Sequence, residues 1–329
     1  MILINAFIKN PRYDMKKHLL PEGGKFYKAN LHSHSTISDG MKTPEELKEM
    51  YKARGYSIFA YTDHDNFVTH NELTDDEFLV INGHEASCVE DIEDPEYAWR
   101  KVCHLCLLAP TPEVKTAPMA ADFGKGYSHE KVNALIKAAK DQGFFVTYNH
   151  PTWSLENYED YMNYHGFDCL EISNYGCIAG GTPEYNELKY DDMLRGGKRI
   201  YCLSADDNHN THYFHDSYGG FTMIKAEKLD YDTVFTALKR GDFYASEGPE
   251  IHELYIENGI VTVKCSPASS VNFSTSSRRG KNVIPTDASP SYITCASYKI
   301  ASDEKYFRVT VTSPDGKKAY TRAYFKDEI

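Results

Sequence analysis

Between residues 27 and 249, short apolar runs alternate with stretches whose apolar residues recur at helical spacing. Four of these runs end in polar residues: "YSIFAYTDHD", "FFVTYNHP", "FDCLEISN" and "RIYCLSADDNH". Short runs that are apolar at nearly every position are typical of strands buried on both faces, as in parallel sheets. The alternation of strand and helix therefore predicts an α/β fold with a mainly parallel sheet.

Three stretches carry helix signals. In "KTPEELKEMYKARG", Thr43 is the predicted N-cap, Glu46 completes a capping box and Gly55 ends the helix. In "SHEKVNALIKAAKDQG", Ser128 is the predicted cap and Gly143 the end. The stretch "YGGFTMIKAEKL" predicts a further strand, and "DYDTVFTALKRG" predicts the helix that closes this part of the chain.

The pattern changes after residue 250, where polar and apolar residues alternate and helical spacing is absent. This alternation, with Ser, Gly, Pro and Asn between the runs, predicts a small antiparallel β-sandwich. We therefore predict an N-terminal arm (1–26), an α/β domain (27–249) and a β-sandwich domain (250–329).

Composition narrows the range of partners. The chain has 329 residues, 41% of them apolar, and a net charge of −12. The negative charge argues against a nucleic-acid backbone or an anionic membrane as the main partner, leaving nucleotides or short oligonucleotides only as substrates. No apolar run is long enough to span a bilayer and the first residues lack a signal-peptide pattern, so no membrane association is expected. Eight scattered cysteines favour a reduced, cytoplasmic protein. The oligomeric state is left open.

Side chains that bind metal ions recur where the apolar runs stop. They are His32, His34, Asp39, Asp63, His64, Asp65, Glu85, His104, His150, Asp207 and His209. One such residue at a strand end is more often capped or hydrated than bound to a metal. In barrels of parallel strands, however, the carboxyl ends meet at one edge, where groups from several strands converge. The recurrence therefore predicts a shared metal site.

Several further candidate residues are open to more than one interpretation. Glu171 either binds substrate or caps a strand, and Arg195 either holds phosphate or complements a helix dipole. His212 contacts substrate, donates a proton to the leaving group, or is solvated. Cys103 and Cys106 form a C-x-x-C pattern without a second pair, which favours buried thiols over a redox or zinc role. The connection 110–128 could fold over the site as a lid, with Lys115 and Lys125 near phosphate.

The ordered motifs "HSHSTISDG", "TDHD", "GHE", the histidine of "CHLC", "NHP" and "DNH" resemble those of the PHP (polymerase and histidinol phosphatase) superfamily of metal-dependent phosphoesterases. The resemblance covers about two-thirds of the chain, and the trailing β segment is similar to a subgroup with a C-terminal β domain. It implies a distorted (β/α)7 barrel that holds two or three divalent ions.

Carried over by motif, the resemblance implies three ligand sets. His32, His34, Glu85 and Asp207 would bind a first ion, and Glu85 would bridge to a second ion held by His104 and His150. Asp39, His64 and His209 would bind a third ion. Many family members have histidine where Asp39 stands, and an aspartate there favours a harder ion or a weaker site. The metals are open among Zn, Mn and Fe. Asp63 and Asp65 are expected to orient His64. The alternative is that one of them only caps the following turn, and for Asp65 the two interpretations are balanced.

The expected activity is hydrolysis of a phosphate mono- or diester of a small metabolite or nucleotide by a metal-bridging hydroxide. Glu85, Asp207, His209 and His212 are the residues expected to take part in catalysis. Two alternatives remain: a metal-dependent hydrolase of a non-phosphate bond, such as an amide, and a catalytically silent barrel used for binding.

Overall fold

A computed structural model describes residues 16–91, 99–286 and 291–329. The helices are α1 (Pro44–Lys52), α2 (His129–Asp141), α3 (Tyr158–Asn163), α4 (Tyr175–Ala179), α5 (Glu187–Arg195) and α6 (Tyr231–Arg240). The first ten strands are β1 (Lys17–His18), β2 (Lys25–Asn30), β3 (Ile58–Tyr61), β4 (Leu79–Val89), β5 (Val102–Leu108), β6 (Phe145–Tyr148), β7 (Cys169–Asn174), β8 (Tyr201–Ala205), β9 (Phe221–Ala226) and β10 (Phe243–Ser246). The remaining strands are β11 (Ile251–Glu257), β12 (Ile260–Ala268), β13 (Ser270–Thr275), β14 (Lys281–Val283), β15 (Ile293–Lys299), β16 (Tyr306–Thr312), β17 (Lys318–Thr321) and β18 (Tyr324–Phe325).

The three predicted helices are confirmed as α1, α2 and α6. The side chain of Thr43 accepts a hydrogen bond from the backbone N–H of Glu46, and the Glu46 side chain completes the capping box. The side chain of Ser128 caps α2 by a similar hydrogen bond from a backbone N–H, and that of Asp230 caps α6. Local capping signals thus set these helix boundaries.

The larger sheet is mixed rather than uniformly parallel. β2, β3 and β4 pair in parallel, as do β6, β7 and β8, but β5 runs antiparallel to both of its neighbours. β9 pairs antiparallel to β2. Most pairs between β2 and β8 are therefore parallel, as predicted, and the inverted β5 is the departure from the pattern.

The carboxyl ends of the outer strands of this series lie side by side. The N–H of Asp207 donates to the carbonyl of His32 over 3.0 Å, and the N–H of His34 donates to the carbonyl of Asn208 over 3.0 Å. These two hydrogen bonds join the segment after β8 to the segment after β2. Side chains from the first and the last strand of the series therefore face a common space.

The C-terminal strands form two antiparallel layers around an apolar core. One layer has the order β1-β11-β12-β15, and the other contains β13, β14, β16, β17 and β18. Leu254 and Val263 from the first layer share the core with Phe273 and Val309 from the second. The two-layer antiparallel arrangement agrees with the alternating pattern after residue 250.

The second layer continues the larger sheet, because β17 pairs with β10. One sheet thus contains strands from both sides of the predicted domain boundary between residues 249 and 250, and this boundary stays a prediction. Within the described ranges, no helix is long and apolar enough to cross a bilayer.

Candidate metal centre

Nearly every side chain predicted to bind metal lies at one end of the β2–β8 series. His32, His34 and Asp39 follow β2, and His64 follows β3. Glu85 lies in β4, His104 in β5, His150 directly after β6, and Asp207 and His209 after β8. Six of them are at least nine-tenths buried: His32, His34, Glu85, His104, His150 and Asp207.

Glu85 is the centre of this cluster. Its Oε1 lies 3.1 Å from Nε2 of both His32 and His150. Its Oε2 lies 3.0 Å from Nδ1 of His64, 3.3 Å from Nδ1 of His104 and 3.5 Å from Nε2 of His34. One fully buried carboxylate thus contacts five imidazoles, as a carboxylate that bridges ions would.

The set implied for a first ion is brought together. Ligand atoms of His32, His34, Glu85 and Asp207 all lie within 4.8 Å of one another. Oδ1 of Asp207 is 2.9 Å from Nε2 of His34 and 3.1 Å from Nε2 of His32.

The set implied for a third ion also gathers, with one addition. Asp39, His64 and His209 form a group together with His34. The Asp39 carboxylate lies 3.5 Å from Nε2 of His209, 3.7 Å from Nε2 of His64 and 3.9 Å from Nδ1 of His34. His34 therefore directs Nε2 to the first group and Nδ1 to this one.

The set implied for a second ion is arranged differently. His104 lies against Oε2 of Glu85, where it groups with His64. His150 lies against the other oxygen, Oε1, and groups with His32 and Glu171. The structure thus places His104 and His150 on opposite oxygens of the carboxylate.

Glu171 orients two of the candidate ligands, His32 and His150. Its Oε1 is 2.7 Å from Nδ1 of His32, so an Nδ1–H that donates to it leaves Nε2 facing the cluster. Its Oε2 accepts from the backbone N–H of His150 and from the side-chain amide of Asn174. Asn174 also donates to Asp207 over 3.1 Å.

Asp63 organises the loop that carries the first histidines. Its carboxylate accepts four hydrogen bonds, from the backbone N–H and hydroxyl of Ser35 and of Ser38. Gly40 closes this loop, and a Cβ there would lie 2.3 Å from the carbonyl oxygen of His34. The glycine of "SDG" is thus required by the close approach of two backbone segments.

Three other predicted residues are not among the grouped candidate ligands of the described ranges. Asp65 accepts from the backbone N–H of Ser87 and fixes the end of β4. Arg195 pairs with Asp192 at the end of α5 and lines a different cavity, beside the C-terminal strands. His212 is exposed in the loop after β8.

The connection 110–128 packs beside the β2–β8 strands, and none of its residues is among those of the described ranges that line the cavity at the cluster. The carbonyl oxygen of Pro118 contacts Nε2 of His84 over 3.1 Å, and Ala120 is buried in the apolar core. Neither Lys115 nor Lys125 is among the described residues that line the cavity containing the histidines. The proposed lid is not observed in this arrangement.

Burial and mutual contact shift the pKa values of the cluster in opposite directions. Burial favours neutral Glu85, but the imidazoles of His104 and His32 hold its pKa well below the ordinary range. Burial, together with His209, lowers the pKa of His34 to about 4. Burial opposes protonation of His64 and His150, yet the adjacent Glu85 carboxylate raises the pKa of each to about 9.

The donor set fits divalent ions. Several buried atoms that face the cluster make no hydrogen bond within the described ranges: Nδ1 of His34, His64 and His104, Oε2 of Glu85 and Oδ1 of Asp207. Buried polar atoms without partners are costly, and ions would satisfy lone pairs that converge in this way. Mixed imidazole and carboxylate ligands suit Zn, Mn or Fe.

Backbone strain marks the same place. His150 and Asp207 have φ values of 23° and 52°, a region that residues with a Cβ rarely adopt. Strained residues persist where the surroundings hold them, and they concentrate at functional sites. This signal is independent of the side-chain chemistry.

We expect metal binding to release protons. With pKa values of about 9, His64 and His150 are protonated at pH 7 in the ion-free protein. Burial lowers the pKa of His32, but Asp207 and Glu85 raise it well above its ordinary range, so this ligand is a third proton carrier. An imidazole binds a metal only when that nitrogen is deprotonated, so uptake should release roughly three protons per chain at pH 7 and tighten as pH rises. Titration with Zn²⁺ or Mn²⁺ in weak buffer with a pH indicator measures this release.

Replacement of His150 by alanine should remove about one of these protons. The same substitution at His252, exposed on β11, is the matched control and should leave the release unchanged. Equal release from all three proteins would contradict the assignment.

Sequence reasoning missed three supporting residues. Asn149 donates to Oε1 of Glu85 over 2.7 Å. Glu184, fully buried, accepts from the backbone N–H groups of Thr152 and Trp153. Trp153, three residues after His150, was recognisable as one of only two tryptophans in the chain.

The thiols of Cys103 and Cys106 are buried and unpaired, as predicted, and burial raises the pKa of each.

The fold and the cluster together define a mixed α/β protein with a candidate multi-metal centre. No protein-family model and no curated protein sequence matches the chain. Among solved structures, the chain is similar to a two-domain Bacteroides vulgatus protein containing a predicted PHP-like metal-dependent phosphoesterase. That match has 15% identity, a TM-score of 0.48 and coverage of 94% of this chain and 98% of the other.

Two further structures are similar over less of the chain. One is a candidate metal-dependent phosphoesterase from Bifidobacterium adolescentis, with 18% identity, a TM-score of 0.40 and coverage of 68% of this chain and 98% of the other. The other is an amidohydrolase from Chromobacterium violaceum with bound sulfate and no metal, with 15% identity, a TM-score of 0.37 and coverage of 57% and 91%.

Proposed function

We propose that the chain is a PHP-type metal-dependent phosphoesterase that hydrolyses a phosphate mono- or diester of a small metabolite or nucleotide. The observation that carries this proposal is the contact of one buried carboxylate, Glu85, with five imidazoles. We further propose that β2–β8 form a distorted barrel, since the hydrogen bonds between residues 32–34 and 207–208 join its ends.

The chain's own residues would hold two or three divalent ions through the groups described above. Ions held there would supply an acidified water and neutralise charge on the phosphoryl oxygens. Glu171 and Asn174 keep the ligands oriented, so little rearrangement is needed when substrate binds. In the reaction, the water oxygen forms the new P–O bond, the ester P–O bond breaks, and the leaving oxygen takes a proton. His212 is proposed as a source of that proton.

The cavity beside the cluster is large enough for a small substrate. Its volume is about 500 Å³, and His64, His104, His150 and His209 lie in its wall. A phosphoryl group at the histidines would therefore leave room for the rest of a metabolite in the same cavity.

The test uses purified full-length protein, metal analysis and a panel of p-nitrophenyl esters. We expect two or more divalent ions per chain and hydrolysis of p-nitrophenyl phosphate or bis(p-nitrophenyl) phosphate. A chelator should abolish this activity, and Zn²⁺, Mn²⁺ or Fe²⁺ should restore it. The substitution His209→Ala should lower the rate. Among the candidate ligand groups, His209 belongs only to the one around Asp39.

Three results would overturn the proposal. Turnover of p-nitrophenyl acetate or an anilide alone would favour a hydrolase of non-phosphate bonds. Purified protein that contains no divalent ion and stays inactive after Zn²⁺, Mn²⁺ or Fe²⁺ is added would favour a binding role. Full activity in the chelated protein would exclude metal dependence.

A further inference from the structure

The cavity beside the metal cluster has two aromatic side chains in its wall, Trp153 and Phe214. The indole of Trp153 lies with its ring centroid 5.2 Å from that of His150 and 5.5 Å from that of His104. Both aromatic residues keep more than a third of their surface exposed, 37% for Trp153 and 39% for Phe214. Large exposed aromatic faces inside a cavity are available for contact with a ligand.

Trp153 is held rigidly by its backbone. Oε2 of the fully buried Glu184 accepts from the N–H of Trp153 over 2.7 Å, and Oε1 accepts from the N–H of Thr152 over 3.0 Å. The side chain of Asn186 donates to Oε1 over 2.8 Å and fixes the carboxylate in turn. The backbone from which the indole projects is thus fixed next to the histidines before any ligand binds.

The ring of Phe214 packs against Gly180 in the wall of the cavity. A Cβ at Gly180 would lie 3.3 Å from Cζ of the Phe214 ring, so the ring packs directly on the end of α4. Trp153 and Phe214 therefore approach the same cavity from two segments far apart in sequence.

The wall beyond the candidate ligands is uncharged except for one carboxylate. Its other described lining residues include Cys177, Thr182 and Thr211. The exception, Asp216, accepts hydrogen bonds from the backbone N–H groups of His209 and Asn210. An anionic group on the ligand would find no opposite charge here, and the Asp216 carboxylate already accepts two backbone hydrogen bonds, whereas an apolar face would find aromatic carbon.

We propose that Trp153 and Phe214 determine specificity by binding a flat, uncharged leaving group of the phosphate ester, such as an aryl ring. This inference rests on the proposed phosphoesterase function. The phosphoryl group would lie at the histidines, and the leaving group would contact the indole beside them.

The test compares benzyl phosphate with n-butyl phosphate, since both alkoxide leaving groups have similar basicity. In the metal-loaded enzyme we expect kcat/KM to be about tenfold higher for the benzyl ester, mainly through KM. Trp153→Ala should lower kcat/KM for benzyl phosphate about tenfold and for butyl phosphate less than about twofold. Trp153→Phe should restore most of the preference, because it keeps a ring.

Two further variants make the test specific. Trp99→Ala, at the other tryptophan, should leave the preference unchanged, because Trp99 is not among the described residues that line this cavity. Phe214→Ala, in an exposed loop, gives an independent measurement if Trp153→Ala does not fold, and it should also reduce the preference. Equal kcat/KM for the two esters, or an unchanged preference in both cavity variants, would overturn the inference.

Binding of benzylphosphonate and butylphosphonate, measured by calorimetry, separates this inference from the proposed function. Tighter binding of the benzyl compound without turnover of any ester would support the aromatic site and overturn the phosphoesterase. Turnover of both esters with equal binding of the two phosphonates would do the reverse.

Discussion

Glu85→Gln is expected to reduce kcat/KM for phosphate esters on the order of 10³-fold and to lower the metal content of the protein. Glutamine has nearly the same shape, but its amide lacks the negative charge and one of its two oxygen acceptors. Both oxygens of Glu85 contact imidazoles, so an NH₂ group at either position would face nitrogens that should bind ions. Elemental analysis and steady-state kinetics on the same preparation measure the two effects.

Glu304→Gln is the matched control for this substitution. Glu304 is also buried, but its carboxylate accepts from Ser276 and Ser277 and pairs with Arg279 in the C-terminal layers. Its replacement should leave metal content and kcat/KM unchanged. Full activity and full metal content in Glu85→Gln would show that the carboxylate does not bind the ions.

Asp191→Ala is expected to have the largest effect on stability, about 3–5 kcal/mol of the free energy of unfolding. Asp191 on α5 makes two hydrogen bonds with Arg308 on β16, of 2.8 Å to Nε and 2.9 Å to Nη2. The Arg308 side chain is only 4% exposed, so loss of Asp191 leaves a buried charge whose remaining carboxylate, Glu187, lies 3.9 Å away. Urea unfolding followed by circular dichroism measures the loss.

The neighbouring residue Asp192 supplies the control. Asp192 pairs with Arg195, and both side chains are substantially exposed, 33% and 53%. An exposed pair contributes about 0–1 kcal/mol, so Asp192→Ala should change stability little. Replacing both Asp191 and Arg308 with apolar residues should recover most of the loss. Equal losses for Asp191→Ala and Asp192→Ala would contradict the role of burial.

The starts of the helices could be predicted from the sequence because the capping signals are local. Thr43, Ser128 and Asp230 each satisfy a backbone N–H within their own first turn, so a few residues determine where the helix begins. The orientation of β5 had no such signal. Its run "VCHLCLL" is apolar throughout, and the same pattern suits a parallel or an antiparallel buried strand.

The gathering of the candidate ligands was predictable from their recurrence at strand ends, but their pairing was not. Which oxygen of Glu85 faces His104 and which faces His150 depends on the angles between β4, β5 and β6, and no spacing along the chain encodes these angles. The partners of Asp63 could not be predicted from spacing either, because Asp63 follows β3 in sequence but accepts hydrogen bonds from the loop after β2.

The pairing of β17 with β10 ties the two halves of the molecule through their backbones. A chain shortened to end at residue 249 would keep every candidate ligand, yet β10 would lose the partner of Tyr244, Ala245 and Ser246 and become an open sheet edge. Open edges recruit strands from other molecules, so such a fragment would self-associate. The C-terminal layers thus cover the edge of the sheet that carries the candidate metal ligands.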